Sequence, residues 1–374
     1  MRDNSQIRIF TLYPYPKPGG CFRQLLRAVE GFIEEGYEVH YLSAKKFPLK
    51  DNENLIFHRF PIYFKNEILF YFFFYSLSPL LIFFIVLKNR ISKIIVFNEE
   101  FAALCFLAKI LGVKATLIIE GFMRAFVRSK RLNFIVYFIL FLYGRVGIII
   151  ADSVWTVSRD LKKKISKFYR TRKTIGLRYN LVLQREIEQA KNIDLKNDLG
   201  LDKNSFLIGC LSSFIPRKNI SYLIEEFSSV STKKVVLLLA GSGAEEKRLR
   251  GIVDRLGLGE RILFLGERKD SLNIIKSIDL LILPTLHDDC PLVLIEALNL
   301  DTPCLASKRG GIPEILHYEE LMFDPEEKGA LKKKIEKILR DKDHFELIKK
   351  HCLERKSHFN KDWAREILRI IEKV

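Results

Sequence analysis

Apolar runs of strand length alternate with longer, helix-length segments along this chain, and they do so in two successive series. Strands are expected over residues 7–12, 37–42, 55–60, 93–97, 114–119 and 146–150, with helices over 20–35, 67–87, 99–111 and 131–143 between them. A second series follows the polar stretch 184–203, with strands over 206–211, 235–240, 261–265, 279–283 and 303–306. Strands that are apolar on both faces are buried on both, and helical crossovers return the chain to the same edge of a sheet. The predicted fold class is therefore α/β: two doubly wound, Rossmann-like domains facing a cleft. Residues 1–182 make the first and 183–374 the second, with a linker near 180–203. The tail from Lys328 onward reads as amphipathic, Lys- and Glu-rich helices, of which the last are expected to pack back towards the first domain. A length of 374 residues agrees with two cores.

Lys and Arg number 62 against 45 Asp and Glu, a net charge of +17. Such an excess points to an anionic partner: nucleic acid, an acidic membrane face or a phosphorylated substrate. The plain alternative is a basic surface with no specific partner. There is no zinc-finger spacing, basic–aromatic repeat or basic tail, so nucleic acid is not expected. The six cysteines are scattered without CxxC spacing, which argues against zinc or a disulfide scaffold and suits a reducing cytoplasm. The N-terminal residues lack an apolar segment of signal length, so a cytoplasmic location is expected.

Residues 68–87 carry no charge, and about twenty apolar residues suffice to cross a bilayer. Pro79 in the middle, the richness in Phe and Tyr, and the place of the segment in the alternating pattern weigh against a span. A second apolar segment, 134–142, is too short to cross. Lys88, Arg90 and Lys93 follow the first segment; Arg128, Lys130 and Arg131 precede the second. Apolar faces rimmed by bases suit a helix lying in the interface of an anionic membrane, and this reading is preferred to a buried core helix or a span.

Residues 206–315 hold the densest chemistry. A strand leads into Ser212-Ser213-Phe214-Ile215-Pro216-Arg217-Lys218-Asn219 and then a helix. Backbone amides of such a turn, Ser213 included, can meet an anion, and Arg217 and Lys218 add two cations that suit a diphosphate. The alternative is a solvated basic turn. Gly241 and Gly243 end the next strand and Gly266 the one after, at the carboxyl edge where open sheets bind ligands. Asp288 and Glu296 are separated by seven residues, with Pro291 where a helix begins; Asp288 falls in the loop and Glu296 inside the helix. An acid there can hold the two hydroxyls of a ribose, and the loop acid can meet a sugar. Equally, Asp288 can cap the helix and Glu296 can pair with a base.

The Arg-Lys pair, Gly-Ser-Gly, Leu-Gly, the two acids seven apart and Gly-Gly-Ile-Pro-Glu-Ile together resemble glycosyltransferase family four, of GT-B fold, over about residues 205–325. The resemblance implies retaining transfer from an NDP-sugar with no cofactor and no metal. It implies that Arg217 and Lys218 contact the diphosphate, Glu296 the ribose and Asp288 the donor sugar, with the backbone around Leu292 and Val293 near the phosphates. The first half is similar more loosely. Pro18-Gly19-Gly20 stands where the family has a glycine loop near the donor, and Asn180 where it has Asn-Gly. Four positions depart from the family pattern: Asp288 replaces its Glu, Asn219 and Leu181 replace glycines, and Glu120-Gly121 replaces a His. Glu120 is a candidate for orienting donor or acceptor, or a structural acid.

The expected activity is transfer of a sugar to a lipid-linked or envelope glycan acceptor, by an enzyme in peripheral contact with the inner face of the cytoplasmic membrane. A nucleotide-sugar epimerase of the same fold, or a non-catalytic membrane scaffold with a decayed nucleotide site, are the alternatives.

Overall fold

The computed structural model describes residues 7–14, 19–121, 134–230 and 234–372. The chain divides into two compact units, Met1–Asn180 with Asp362–Val374, and Leu181–Lys361.

The first unit runs β1 (Arg8–Leu12), α1 (Gly20–Glu34), β2 (Glu38–Ser43), β3 (Leu55–Arg59), α2 (Glu67–Lys88), β4 (Lys93–Phe97), α3 (Glu99–Ala103), β5 (Lys114–Ile119), α4 (Phe134–Ile150), β6 (Ser153–Thr156), α5 (Arg159–Tyr169) and β7 (Ile175–Leu177). Its seven strands are parallel in the order β3-β2-β1-β4-β5-β6-β7, so the winding reverses between β1 and β4. Central strands are apolar throughout because both faces are covered; Ile94, Ile95, Val96 and Phe97 are all buried.

The second unit runs α6 (Gln184–Gln189), α7 (Leu195–Asp198), β8 (Phe206–Leu211), α8 (Ile220–Ser228), β9 (Val235–Ala240), α9 (Glu246–Arg255), β10 (Ile262–Gly266), α10 (Ser271–Ser277), β11 (Leu280–Leu283), α11 (Leu292–Asn299), β12 (Cys304–Ser307), α12 (Ile312–Leu316), β13 (Met322–Phe323), α13 (Ala330–Arg340) and α14 (Lys342–Phe359). The six strands are parallel in the order β10-β9-β8-β11-β12-β13, reversing between β8 and β11. The chain then re-enters the first unit as α15 (Trp363–Glu372), which packs on α1 with Ile367 and Ile371 buried.

Four sequence expectations are corrected. Residues 146–150 are the last turn of α4, and the sixth strand is Ser153–Thr156. Gly144 and Gly147 are on the contact face of α4. A Cβ at Gly144 would lie 2.9 Å from Glu99 Cγ, and one at Gly147 would lie 3.1 Å from the Ala102 Cβ. The helix expected over 99–111 is a short α3 followed by a 3-10 turn at Ala108–Leu111. The stretch expected as a linker contains α6 and α7. Lastly, β7 and β13 were not foreseen, being only three and two residues long.

Helix α2 keeps one stripe on the protein and one face outside. Phe70, Phe74, Ser78, Ile82 and Val86, four residues apart, are buried, whereas Ile68, Phe72, Leu80, Phe84 and Leu87 are exposed. It is long and apolar enough to cross a membrane. Pro18, Arg128, Lys130 and Arg131 lie outside the described residues.

Candidate active site

Loops at the carboxyl edge of the second sheet, beside its point of reversal, bring the predicted donor residues together. After β8 the chain forms a 3-10 turn, Pro216–Lys218, and enters α8 through Asn219 at φ 54°. That left-handed position explains why Asn stands where the family has glycine, since Asn tolerates this conformation best among residues with a Cβ. The amides of Ser212, Phe214, Ile215, Lys218 and Asn219 are each spent on a backbone carbonyl. Five amides of the expected cradle are therefore occupied within the protein, that of Ser213 not among them.

Both cations converge on Asp288, which lies in the loop after β11. Arg217 Nη1 donates to Asp288 Oδ1 at 3.2 Å and to the His287 carbonyl, and Lys218 Nζ donates to Asp288 Oδ2. Burial alone would raise the Asp288 carboxyl; the neighbouring Lys218 and Arg217 charges overcome this and hold it below its ordinary value. The backbone is latched as well. Leu286 N donates to the Arg217 carbonyl at 2.9 Å, and the buried Thr285 hydroxyl lies 3.1 Å from the same oxygen.

Two further glycines hold Asp288 from behind. Gly311 N donates to the Asp288 carbonyl at 2.9 Å, and Gly310 sits at φ +60° with its Cβ position 2.9 Å from the Asp288 carbonyl carbon. Gly241 and Gly243 play the same part for the basic turn: a Cβ on either would strike the backbone of Ser212 or Phe214. Gly241 N also donates to the Gly266 carbonyl at 2.8 Å, tying in the loop after β10. The glycines thus let neighbouring loops touch. Sequence reasoning did not single out Thr285, and Gly310 entered only as the first residue of Gly-Gly-Ile-Pro-Glu-Ile, with no role given to it.

Pro291 caps α11, Leu292 and Val293 open it, and Glu296 is its fifth residue at 2% exposure. Ser213 precedes the basic turn and Gly266 closes β10 at φ +67°.

The first unit holds the other candidates at its own point of reversal. Gly19 and Gly20, exposed, start α1 after β1; Gly19 is extended, with open space around it. Glu120 follows β5, and burial drives its carboxyl well above the ordinary range, with Cys21 and Arg27 opposing in part. Glu100, after β4, is pushed up to about 8 by burial and by the charge of Glu99. Each leaves one carboxyl oxygen buried and without a hydrogen-bond partner among the described residues. Glu99 accepts from the Tyr169 hydroxyl at 2.9 Å. Glu99 and Glu100 were missed, though two acids directly after a central strand could have marked them.

Residues 191–353 match the family model described as Glycosyl transferases group 1. N-acetyl-alpha-D-glucosaminyl L-malate synthase of Bacillus anthracis is 28% identical over 46% of this chain and 46% of its own, so the match spans about half the length of that relative. The capsular polysaccharide biosynthesis glycosyltransferase CapM of Staphylococcus aureus is 26% identical over 86% of this chain and 85% of its own. Among solved structures, HepE of Anabaena in complex with UDP and glucose superposes with a TM-score of 0.77 at 17% identity, covering 99% of this chain and all (100%) of that one. The two doubly wound units are those of the GT-B fold.

Proposed function

We propose that this chain, whose residues 191–353 match the family model of the group 1 glycosyl transferases, moves a sugar from a nucleoside-diphosphate sugar to an envelope glycan acceptor presented at a membrane. The observation that carries the donor half is the convergence of Arg217 and Lys218 on one carboxylate, Asp288. As the bond from sugar to diphosphate breaks, negative charge gathers on the leaving diphosphate. Two fixed cations stabilise that charge without a metal and with little reorganisation. Asp288 keeps both cations aimed at one place and presents its remaining lone pairs to the donor sugar. Glu296, buried in α11, takes the ribose hydroxyls. The acceptor hydroxyl attacks on the face the diphosphate leaves, its proton passing to a diphosphate oxygen, and configuration is retained.

The acceptor half rests on the first unit. The exposed face of α2 continues onto α4, where Phe138, Ile139, Leu142 and Ile149 are exposed, and Tyr75 of α2 meets Tyr143 of α4 edge to face at 5.1 Å. Lys88 and Arg90 lie exposed at the end of α2. With its opposite stripe packed in the protein, α2 fits a helix lying in the interface better than one crossing the bilayer. Peripheral contact with the cytoplasmic leaflet, and a lipid-linked or polysaccharide acceptor, follow.

The deciding experiment is a thermal-shift screen against nucleoside diphosphates and their sugar conjugates. One nucleotide class should raise the melting point, and Arg217→Ala should weaken it by about 10- to 100-fold, as loss of a charged hydrogen bond does. Intact nucleotide binding and turnover in Arg217→Ala would end this account. For the membrane, wild type should float with anionic vesicles at low salt and Phe72→Glu/Phe84→Glu should not.

A further inference from the structure

Helix α5 carries the most one-sided charge in the first unit. Residues 159–173 contain eight bases and one acid, Asp160, and that acid is paired with Lys164. Between α5 and β7, the last strand of the first sheet, lies a hollow of about 700 Å³, lined by Arg159, Lys162, Lys163, Ser166, Lys167 and Leu177. Among the described residues no carboxylate is on this wall. Lys162, Lys163 and Lys167 make no ion pair among the described residues, whereas Arg248 and Arg250 of α9 are matched by Glu245 and Glu246. Lys163 and Lys167 are four residues apart, so like charges stack along one face, at a standing cost that an anion would relieve.

The neighbourhood of this groove says what kind of anion fits. Helix α5 packs directly on α4: Phe141 meets Phe168 edge to face at 5.2 Å and stacks on Tyr169 at 5.5 Å. Helix α4 also carries exposed apolar residues, among them Ile139, Leu142 and Ile149. A hollow edged by lysines and a hydroxyl thus lies one helix away from exposed apolar residues, which is the pattern that an amphiphile with a multiply charged head presents in reverse.

The geometry points to the α5 groove as a binding site for the diphosphate head of a lipid-linked acceptor, whose hydrocarbon lies along α4. Lys162, Lys163 and Lys167 with the Ser166 hydroxyl match a diphosphate better than the single charge of a phosphodiester. This inference rests on the membrane reading above, and it adds a second set of phosphate-binding residues to Arg217 and Lys218.

The test is vesicle flotation with three compositions: phosphatidylcholine alone, phosphatidylcholine with phosphatidylglycerol, and phosphatidylcholine with a polyprenyl diphosphate at matched charge. Wild type should partition best onto the diphosphate vesicles. Each lysine near an anionic surface is worth roughly fivefold in partitioning, so Lys162→Glu/Lys163→Glu/Lys167→Glu should lose it by on the order of a hundredfold or more, with residual binding to the neutral vesicles intact. These side chains sit on the outer face of α5, and an unchanged melting curve will verify folding. Equal partitioning onto the two charged compositions overturns the diphosphate assignment in favour of bulk headgroup attraction. Undiminished binding of the triple variant overturns the groove. Should wild type bind no vesicle, the membrane reading fails instead. Titration of inorganic pyrophosphate into Arg217→Ala protein, with and without the lysine changes, then decides: a binding event lost with the lysines upholds the groove, and no difference sinks it.

Discussion

Replacing Gly310 with alanine tests whether the site depends on how Asp288 is held, with no change to a side chain proposed to touch the donor. Two costs add. At φ +60° a Cβ costs about 1–2 kcal/mol in backbone strain. The same Cβ would sit 2.9 Å from the Asp288 carbonyl carbon, nearer still to its oxygen, and 3.1 Å from its amide nitrogen. The obstacle is backbone, which cannot swing aside as a side chain tip can, so the loop carrying Asp288 must retreat by roughly 1 Å to reach ordinary contact. That retreat also stretches the 2.9 Å bond from Gly311 N to the Asp288 carbonyl. The sum is about 2–4 kcal/mol of stability, or roughly 5–12 °C in the melting point of a domain of this size. A reacting group misplaced by 1 Å costs about a hundredfold in rate. Melting curves and nucleoside diphosphate release, measured on Gly310→Ala and on Gly259→Ala, supply the assay. Gly259 faces open space without a left-handed φ, so its variant should behave as wild type. Gly310→Ala protein that melts normally and turns over at the wild-type rate would refute the reasoning.

Two other outcomes follow from groups outside the donor loops. Glu100 has a folded pKa of about 8 against an ordinary 4.5. The unfolded chain thus releases its proton near pH 4.5 while the folded one keeps it, and stability contributed here is full below 4.5 and lost as pH rises through 8. Glu100→Gln should melt progressively higher than wild type from pH 5 to pH 8, and a gap independent of pH would contradict this. Glu226, buried on α8, accepts from Gly329 N at 2.7 Å and Lys332 N at 3.0 Å, capping α13. Glu226→Ala should cost about 2 kcal/mol yet leave nucleotide affinity unaltered, which a thermal melt paired with a nucleotide titration will show.

Alternation of apolar runs with helical segments was enough to read two parallel sheets, because buried parallel strands must be apolar on both faces. It failed at residues 146–150. A short apolar run is the same string in a buried strand and in the last turn of a helix as apolar as α4, and only its packing on α3 tells them apart. The donor residues were legible one at a time. Arg217, Lys218, Asp288 and Glu296 could be picked from spacing and residue type, but the pairing of Arg217 and Lys218 with Asp288 joins positions seventy residues apart and is made by the sheet order β8-β11. Asn219 looked like a lapse from the family pattern until its left-handed backbone showed that it meets the same demand as glycine. Glu100 escaped notice because its significance is its burial beside Glu99, and burial is a property of the folded chain.

The course of α15 governs the order in which the molecule can be completed. Residues 362–372 cover α1, with Ile367 and Ile371 in the core and Lys93 Nζ donating to the Ile371 carbonyl at 2.5 Å. During synthesis α1 emerges early, and the segment that shields it is made only after the whole of Leu181–Lys361. The second unit therefore has all its parts before the first does, so that the half begun first is finished last. In the interval the apolar side of α1 stands open, the condition in which nascent chains are most prone to aggregate.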